Sequence, residues 1–137
     1  MKKTLIIFVV LLSVLLINSA FAKNPLKNLS ETKRIAAIEN LMVGLKSDNQ
    51  GLKNSSVFLL GELKADKSVI PLMKLLKSSE NEDTRILAAL SLLKIGDQRG
   101  IYAIKQAIKF DDSERVSKTC KKFYQEYLIK QIENKEL

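Results

Sequence analysis

The sequence contains no histidine and no tryptophan, and its 137 residues include one cysteine, five glycines and two prolines. Without histidine there is no Ser-His-Asp triad, no Cys-His pair and no metal site with an imidazole ligand. A single cysteine excludes an internal disulfide, a CxxC redox pair and a four-cysteine zinc site. So few glycines and prolines disfavour a β-sandwich, which needs many turns. Glycine-rich phosphate-binding motifs and nucleophile motifs are missing as well. We therefore predict no catalytic residue, no cofactor and no metal ligand.

The first 22 residues have the three parts of a secretory signal. Two lysines follow Met1, the run 5–17 is apolar except for Ser13, and Ala20 and Ala22 suit the −3 and −1 positions of a cleavage site. This run is shorter than the roughly 20 residues that a membrane-spanning helix needs. We therefore expect cleavage after Ala22 and a periplasmic or secreted protein. The alternative is that the segment stays uncleaved as a membrane anchor.

Residues 23–30, which include Pro25, read as a linker, and residues 31–137 read as one helical domain. In this domain the apolar residues recur at helical spacing and do not alternate as in a strand. Six helices are indicated, and their apolar faces contain Ile35, Ile38, Leu41 and Leu45; Val57, Leu60 and Leu63; Val69, Leu72, Leu75 and Leu76; Ile86, Leu87, Leu90 and Leu93; Ile101, Ile104 and Ile108; and Val116, Cys120, Phe123, Tyr127 and Leu128.

The helical pattern repeats itself along the chain. The shift that places Leu60 on Leu92 also places Val69 on Ile101. A fixed period of roughly 20–50 residues indicates stacked structural repeats. Each unit reads as a hairpin of two helices, A and B, in which helix A ends at a turn such as Gly96-Asp97.

The segment 85–97, which begins Arg-Ile-Leu-Ala-Ala-Leu and ends Ile-Gly-Asp, and the apolar helix 101–108 resemble a HEAT repeat. The likeness is greatest to the short bacterial, phycobilisome-lyase-like type and extends over about residues 34–123. It implies an all-α, right-handed superhelical stack of about three helical hairpins with a long C-terminal capping helix. Lys53 and Ser117 stand where that unit has Arg85, and Lys64 replaces the turn glycine. The resemblance therefore does not imply inter-repeat hydrogen bonds at these positions.

Two acidic clusters offer the chemistry of a carboxylate pair or of a weak calcium site. They comprise Glu80, Glu82 and Asp83, and Asp111, Asp112 and Glu114. We favour helix capping instead and expect Asp83, Asp97 and Asp112 to accept backbone N–H groups at helix starts. Cys120 lies on an apolar stripe and is expected to be buried, although a reactive thiol is the alternative.

In HEAT-like stacks the B helices line the concave face. The side of the B helices that points away from the hairpin core is the B-helix face. Ile70 and Lys74 should point outward from one B helix, and Tyr102 and Gln106 from the next. Lys46, Lys77 and Lys109 recur at nearly the interval of the repeat and would form a basic rim. The alternatives are that these lysines complement their own helix ends and that other parts of the chain cover the apolar stripe. The predicted partner-binding residues are Val43, Ile70, Met73, Lys74, Tyr102, Gln106, Lys46, Lys77 and Lys109.

These observations predict an exported, non-catalytic HEAT-like protein that binds another protein through its B-helix face as an interaction or scaffold module in the cell envelope. Lys118, Lys121 and Lys122 lie near Tyr124, but export and the interspersed acids argue against nucleic acid as a partner. After cleavage we expect no membrane span, with peripheral contact to an anionic envelope surface left open. The main alternative is electrostatic binding of an anionic membrane or cell-wall polymer. Further alternatives, from resemblance alone, are a chromophore-lyase-like enzyme or a chaperone.

Overall fold

A computed structural model of the chain describes residues 29–136. They form six α-helices, α1 (Glu31–Gly44), α2 (Gln50–Glu62), α3 (Val69–Ser78), α4 (Glu82–Ile95), α5 (Gln98–Phe110) and α6 (Glu114–Glu133). A short 3₁₀ turn over Asp66–Ser68 precedes α3. The predicted export signal and most of the predicted linker lie outside the described residues. Among the helices described, none is both long enough and apolar enough to cross a membrane.

The six helices form a stack of helical pairs. By the period of the sequence, α2–α3 and α4–α5 are complete A–B hairpins, α1 takes the place of a B helix, and α6 takes that of an A helix. Helix α4 packs against α2, α3, α5 and α6 and therefore lies at the centre of the stack. Between the two complete hairpins, A packs on A (α2 with α4) and B packs on B (α3 with α5). The predicted all-α stack with a long final helix is confirmed.

The A-type helices α2, α4 and α6 begin at equivalent positions of the repeat. Their capping residues are Asn49, Asn81 and Ser113, which follow one another at equal intervals along the chain. Each side-chain oxygen accepts a hydrogen bond from the backbone N–H three residues further along, at 2.9, 2.9 and 3.3 Å. Such a bond satisfies an N–H that has no partner within the first helical turn. The capping residues of the A-type helices thus recur with the same period as the apolar residues.

Of the three aspartates expected as caps, only Asp97 is one. Its carboxylate accepts a hydrogen bond of 2.8 Å from the backbone N–H of Arg99 at the start of α5. Asp83 lies inside the first turn of α4, because Asn81 takes the capping position, and Asp112 precedes the cap of α6. The prediction for Asp83 and Asp112 is wrong because asparagine and serine cap helices as well as aspartate does.

Fully buried aliphatic side chains from α2 to α6 form the core. They include Val57 and Leu60 of α2, Val69 and Leu72 of α3, Leu92 of α4, Ile104 of α5 and Val116 of α6. Two residues of the predicted apolar faces, Ile35 on α1 and Leu128 on α6, are instead exposed. Both lie on an end helix of the described stack. A solenoid buries an apolar face only between neighbouring units, so a face on an end helix stays open.

Helices α2 and α4 approach each other closely at Gly61 and Ser91. A Cβ atom at position 61 would lie 2.7 Å from the Cα of Ser91, so a larger residue would push the helices apart. The Ser91 hydroxyl donates a hydrogen bond of 2.8 Å to the carbonyl of Val57. Small residues and one buried hydrogen bond thus hold the A helices of consecutive units together.

Arg85 joins the turns of two consecutive units. Its buried guanidinium donates to both carboxylate oxygens of Asp111 at 3.0 Å and to Asp112 at 2.9 Å, in the turn after α5. It also donates to the carbonyl of Ser79, in the turn after α3, at 2.7 Å. One unit further on, Ser117 occupies the equivalent place, and its hydroxyl donates to a carbonyl of α5 at 2.7 Å. A side-chain hydrogen bond therefore forms at this position as well, although serine is smaller than arginine.

Candidate functional site

The exposed side of α3 carries Ile70 and Lys74, which lie one helical turn apart. The side chain of Ile70 is 57% exposed, and Lys74 is exposed too. Both residues line two grooves, one on each side of α3. Helix α3 therefore forms a ridge between the grooves, and this ridge lies on the predicted B-helix face.

The first groove lies between α3 and the segment that joins α1 to α2, and it has a volume of about 710 Å³. Its walls combine charged and apolar side chains. Three lysines line it, with Glu80 as the only acid among its lining residues. The lysines are Lys46, Lys53 and Lys74, and the apolar residues include Met42, Leu45 and Ile70.

The second groove lies between α3 and α5 and has a volume of about 670 Å³. Buried Leu76 and Ala107 lie at its base, and exposed Ile70, Tyr102 and Phe110 line its sides. Its cations are Lys74 and Lys77. Its one acid, Asp111, has a side chain that is only 6% exposed and that already binds Arg85. This groove thus offers an apolar surface beside positive charge.

The structure brings six of the nine predicted partner-binding residues together in the second groove. These are Ile70, Met73, Lys74, Lys77, Tyr102 and Gln106. Lys46 lines the first groove, whereas Val43 and Lys109 are exposed but line neither groove. Lys77 and Lys109 also lie in the last turns of α3 and α5, where an ammonium group complements a helix C-terminus.

Phe110 belongs to the second groove, although the sequence analysis missed it. Its side chain is 77% exposed at the end of α5. The period of the repeat does not reveal it, because the equivalent residue of the preceding unit is Ser78. A different pattern would have found it: Tyr102, Gln106 and Phe110 are spaced four residues apart and so share one side of a helix.

Many carboxylates of the described residues pair with cations at turns or between A-type helices. Glu62 of α2 binds Lys94 of α4, and Asp83 of α4 binds Arg115 of α6 at 2.7 Å. Over residues 29–136, by contrast, no ion pair involves a lysine that lines either groove. These lysines are Lys46, Lys53, Lys74 and Lys77. The groove lysines therefore form no ion pair with a carboxylate of the described residues.

The two acidic clusters bind cations of the protein itself. Asp111 and Asp112 are held by Arg85, and Glu82 and Asp83 by Arg115. In the part of the chain that the structure describes, no group of three or more potential ligand side chains is arranged to hold a metal ion. Four carboxylates of these clusters, Glu82, Asp83, Asp111 and Asp112, therefore form ion pairs with arginines of the A-type helices.

Cys120 is fully buried on α6, which confirms the expectation from the sequence. Burial raises the pKa of the Cys120 thiol to about 11, with a smaller contribution in the same direction from the negative charge of Asp111. Because the thiolate is the nucleophilic form, burial and the raised pKa both favour the protonated thiol at neutral pH.

The fold is an α-solenoid in which helical hairpins stack at a regular period of the sequence. The family model for HEAT repeats matches residues 34–120, more than half of the chain. The chain belongs to the HEAT-repeat family. Comparison with the curated proteins and with the solved structures finds no match. HEAT repeats generally mediate protein–protein interaction, and proteins built from them are typically non-catalytic scaffolds.

Proposed function

We propose that this HEAT-repeat protein is a non-catalytic interaction module that binds another protein in the second groove of its B-helix face. The observation that carries the proposal is the exposure of Ile70, Tyr102 and Phe110 along one groove. Large apolar and aromatic side chains bordered by charge are typical of protein interfaces. The match to a family that mediates protein–protein contacts supports the same function.

We further propose that the protein acts outside the cytoplasm, in the cell envelope or as a secreted protein. The support is in the sequence: a basic start, an apolar run over 5–17, and Ala20 and Ala22 before the expected cut. N-terminal sequencing of the protein from the envelope fraction tests this, and we expect Lys23 as the first residue. A protein that keeps Met1 and stays embedded in the membrane would contradict the proposal.

Site-specific photo-crosslinking in the cell tests the binding face. A photoreactive amino acid at position 102 should give a discrete crosslinked product with a second protein. Ile129 on α6 is the matched control position, because it is similarly exposed and lines neither groove. The same product from both positions, or a product from position 129 alone, would place the interface elsewhere.

The second candidate function is electrostatic attachment to an anionic membrane or cell-wall polymer. The observation that favours it is the set of groove lysines without carboxylate partners in the described chain. Binding to such a polymer should weaken steeply as ionic strength rises, because exposed charges are screened. Binding that depends on apolar contacts in the second groove should change much less. A salt titration with wild-type protein and Tyr102→Ala separates the two functions.

A further inference from the structure

The second groove presents apolar and cationic side chains on different helices. On α3, Lys74 and Lys77 lie three residues apart and so project from the same side of the helix. On α5, Tyr102 and Phe110 lie eight residues apart, which corresponds to a rise of about 12 Å along a helix. An occupant that fills this groove therefore meets two apolar anchor points beside a row of positive charge.

We propose that the occupant is an acidic segment of a partner protein, with two large apolar side chains flanked by Asp or Glu residues. This inference rests on the proposed function, and it adds the chemical class of the partner. An extended segment advances about 3.3 Å per residue, so apolar residues about four positions apart would reach the contacts at Tyr102 and Phe110. A helical segment would need them about eight positions apart.

Charge complementarity selects an acidic segment over a basic or neutral one. Lys74 and Lys77 have no carboxylate partner in the described residues, and the one acid of the groove, Asp111, is held by Arg85. Carboxylates of a partner could therefore form ion pairs with these lysines without displacing a carboxylate of the described chain. A basic segment would place like charges side by side, which opposes binding.

The apolar surface favours a protein segment over an anionic polymer. Ile70, Tyr102 and Phe110 are all more than half exposed in the second groove. A polyphosphate or a cell-wall polyanion would leave these side chains in water. A segment with leucine or aromatic residues would bury them, and buried anchors of this kind are the usual energetic centres of interfaces.

Selection from a library of random dodecapeptides displayed on phage tests the proposal with the purified protein. We expect enrichment of sequences that combine Asp or Glu with two large apolar residues at one of the spacings above. The double charge reversal Lys74→Glu/Lys77→Glu should weaken binding of a selected peptide by about tenfold or more, because like charges then face each other. Tyr102→Ala should also weaken it by about tenfold or more, as expected for a hot-spot residue.

Matched control variants show whether these effects are specific to the groove. The double reversal Lys121→Glu/Lys122→Glu changes the net charge equally on exposed residues of α6 that line neither groove. Ile129→Ala is the control for Tyr102→Ala, because it removes an apolar side chain that is 56% exposed, close to the 62% of Tyr102. We expect both variants to bind the selected peptide like the wild-type protein. If Lys121→Glu/Lys122→Glu weakens peptide binding equally, net charge alone explains the effect, and the inference is overturned.

The outcomes distinguish failure of the inference from failure of the proposed function. Selected peptides that are neutral or basic, yet lose binding with Tyr102→Ala, would refute the acidic partner and leave the binding face intact. Peptides unaffected by Tyr102→Ala, or no enrichment at all, would count against both. Polyglutamate that binds as well as the selected peptides, regardless of Tyr102→Ala, would identify the groove side as a polyanion site instead.

Discussion

Lys64 and Gly96 occupy equivalent positions of the repeat and hold the same left-handed backbone conformation after the A helices α2 and α4. The φ angle is 47° at Lys64 and 80° at Gly96. Glycine adopts this region without strain, whereas a residue with a Cβ atom loses roughly 1–2 kcal/mol there. Lys64 replaces the glycine of the repeat but keeps the turn, so the packing of α2 and α3 against α4 outweighs the local strain.

The first prediction follows from this pair. Lys64→Gly should raise the free energy of unfolding by up to about 1 kcal/mol, because it removes strain but adds backbone entropy to the unfolded chain. Gly96→Ala should lower it by about 1–2 kcal/mol. No atom lies within 4 Å of a Cβ built at position 96, so the loss would be conformational and not steric. Chemical denaturation measures both changes.

The control for Lys64→Gly is the same substitution inside a helix. Lys53 lies in α2, where glycine should lower the free energy of unfolding by about 0.8–1.0 kcal/mol relative to a good helix former. Opposite signs for Lys64→Gly and Lys53→Gly would confirm the turn conformation. If Lys64→Gly destabilises the protein as Lys53→Gly does, the left-handed turn at position 64 is refuted.

Arg85→Ala should be among the most damaging single substitutions. It leaves the buried carboxylate of Asp111 without its bidentate partner, and breaking a buried ion pair in this way costs about 3–5 kcal/mol of stability. Denaturant unfolding of Arg85→Ala, Asp111→Ala and the double variant measures the coupling between the two groups. Arg115→Ala, which removes an exposed arginine, is the control and should cause a much smaller loss. Additive effects of Arg85→Ala and Asp111→Ala would contradict the paired arrangement.

Asp97 should titrate well below an ordinary aspartate. Hydrogen bonds from the side chain and the backbone of Arg99 lower the pKa of its carboxyl from 3.8 to about 2. A lowered folded-state pKa means stability that is present above the unfolded value and lost as pH falls through about 2. Asp97→Asn can still cap α5, so its stability should approach that of wild type near pH 2 and fall below it above pH 4. NMR titration of the carboxyl carbon gives the pKa directly, and an unshifted value would contradict the Arg99 contacts.

Cys120 should react slowly with a thiol reagent in the native protein and rapidly in denaturant. The cause is its full burial together with a pKa raised to about 11, which keeps the group protonated at neutral pH. Gln125→Cys in a Cys120→Ala background is the control, since position 125 is exposed on the same helix and should label fast. Rapid native labelling of Cys120, or a disulfide-linked dimer on a non-reducing gel, would show that α6 opens.

The fold was predictable because a solenoid repeats its local signals. The spacing of Leu60 and Leu92, which Val69 and Ile101 share, marked equivalent helices before any packing was known. The helix starts were harder to predict, because asparagine and aspartate cap helices equally well. An aspartate lies within two residues of Asn49 and of Asn81. Exposure of Ile35 could not be predicted, because an apolar residue on an end helix looks the same in sequence as one between two units.

The candidate site was only partly predictable for a different reason. Helical phase alone shows that Ile70 and Tyr102 face outward on neighbouring B helices. It does not show how closely two helices approach, and so it cannot tell that Val43 and Lys109 lie outside both grooves. Phe110 was missed because a comparison of repeats identifies only positions that are similar in each unit. The residue equivalent to Phe110 in the preceding unit is Ser78, which is not aromatic.

The last prediction separates the core from the binding face with two substitutions to alanine. Leu72 of α3 is fully buried, so Leu72→Ala should lower the free energy of unfolding by about 2–5 kcal/mol through lost burial and the cavity left behind. Tyr102 of α5 is 62% exposed, and Tyr102→Ala should change stability by no more than about 0.5 kcal/mol. Thermal and denaturant unfolding of both variants, beside the crosslinking and peptide assays, shows whether stability and binding separate. If Tyr102→Ala destabilises the protein as much as Leu72→Ala, the tyrosine belongs to the core, and any loss of binding in that variant would reflect unfolding and not a lost contact.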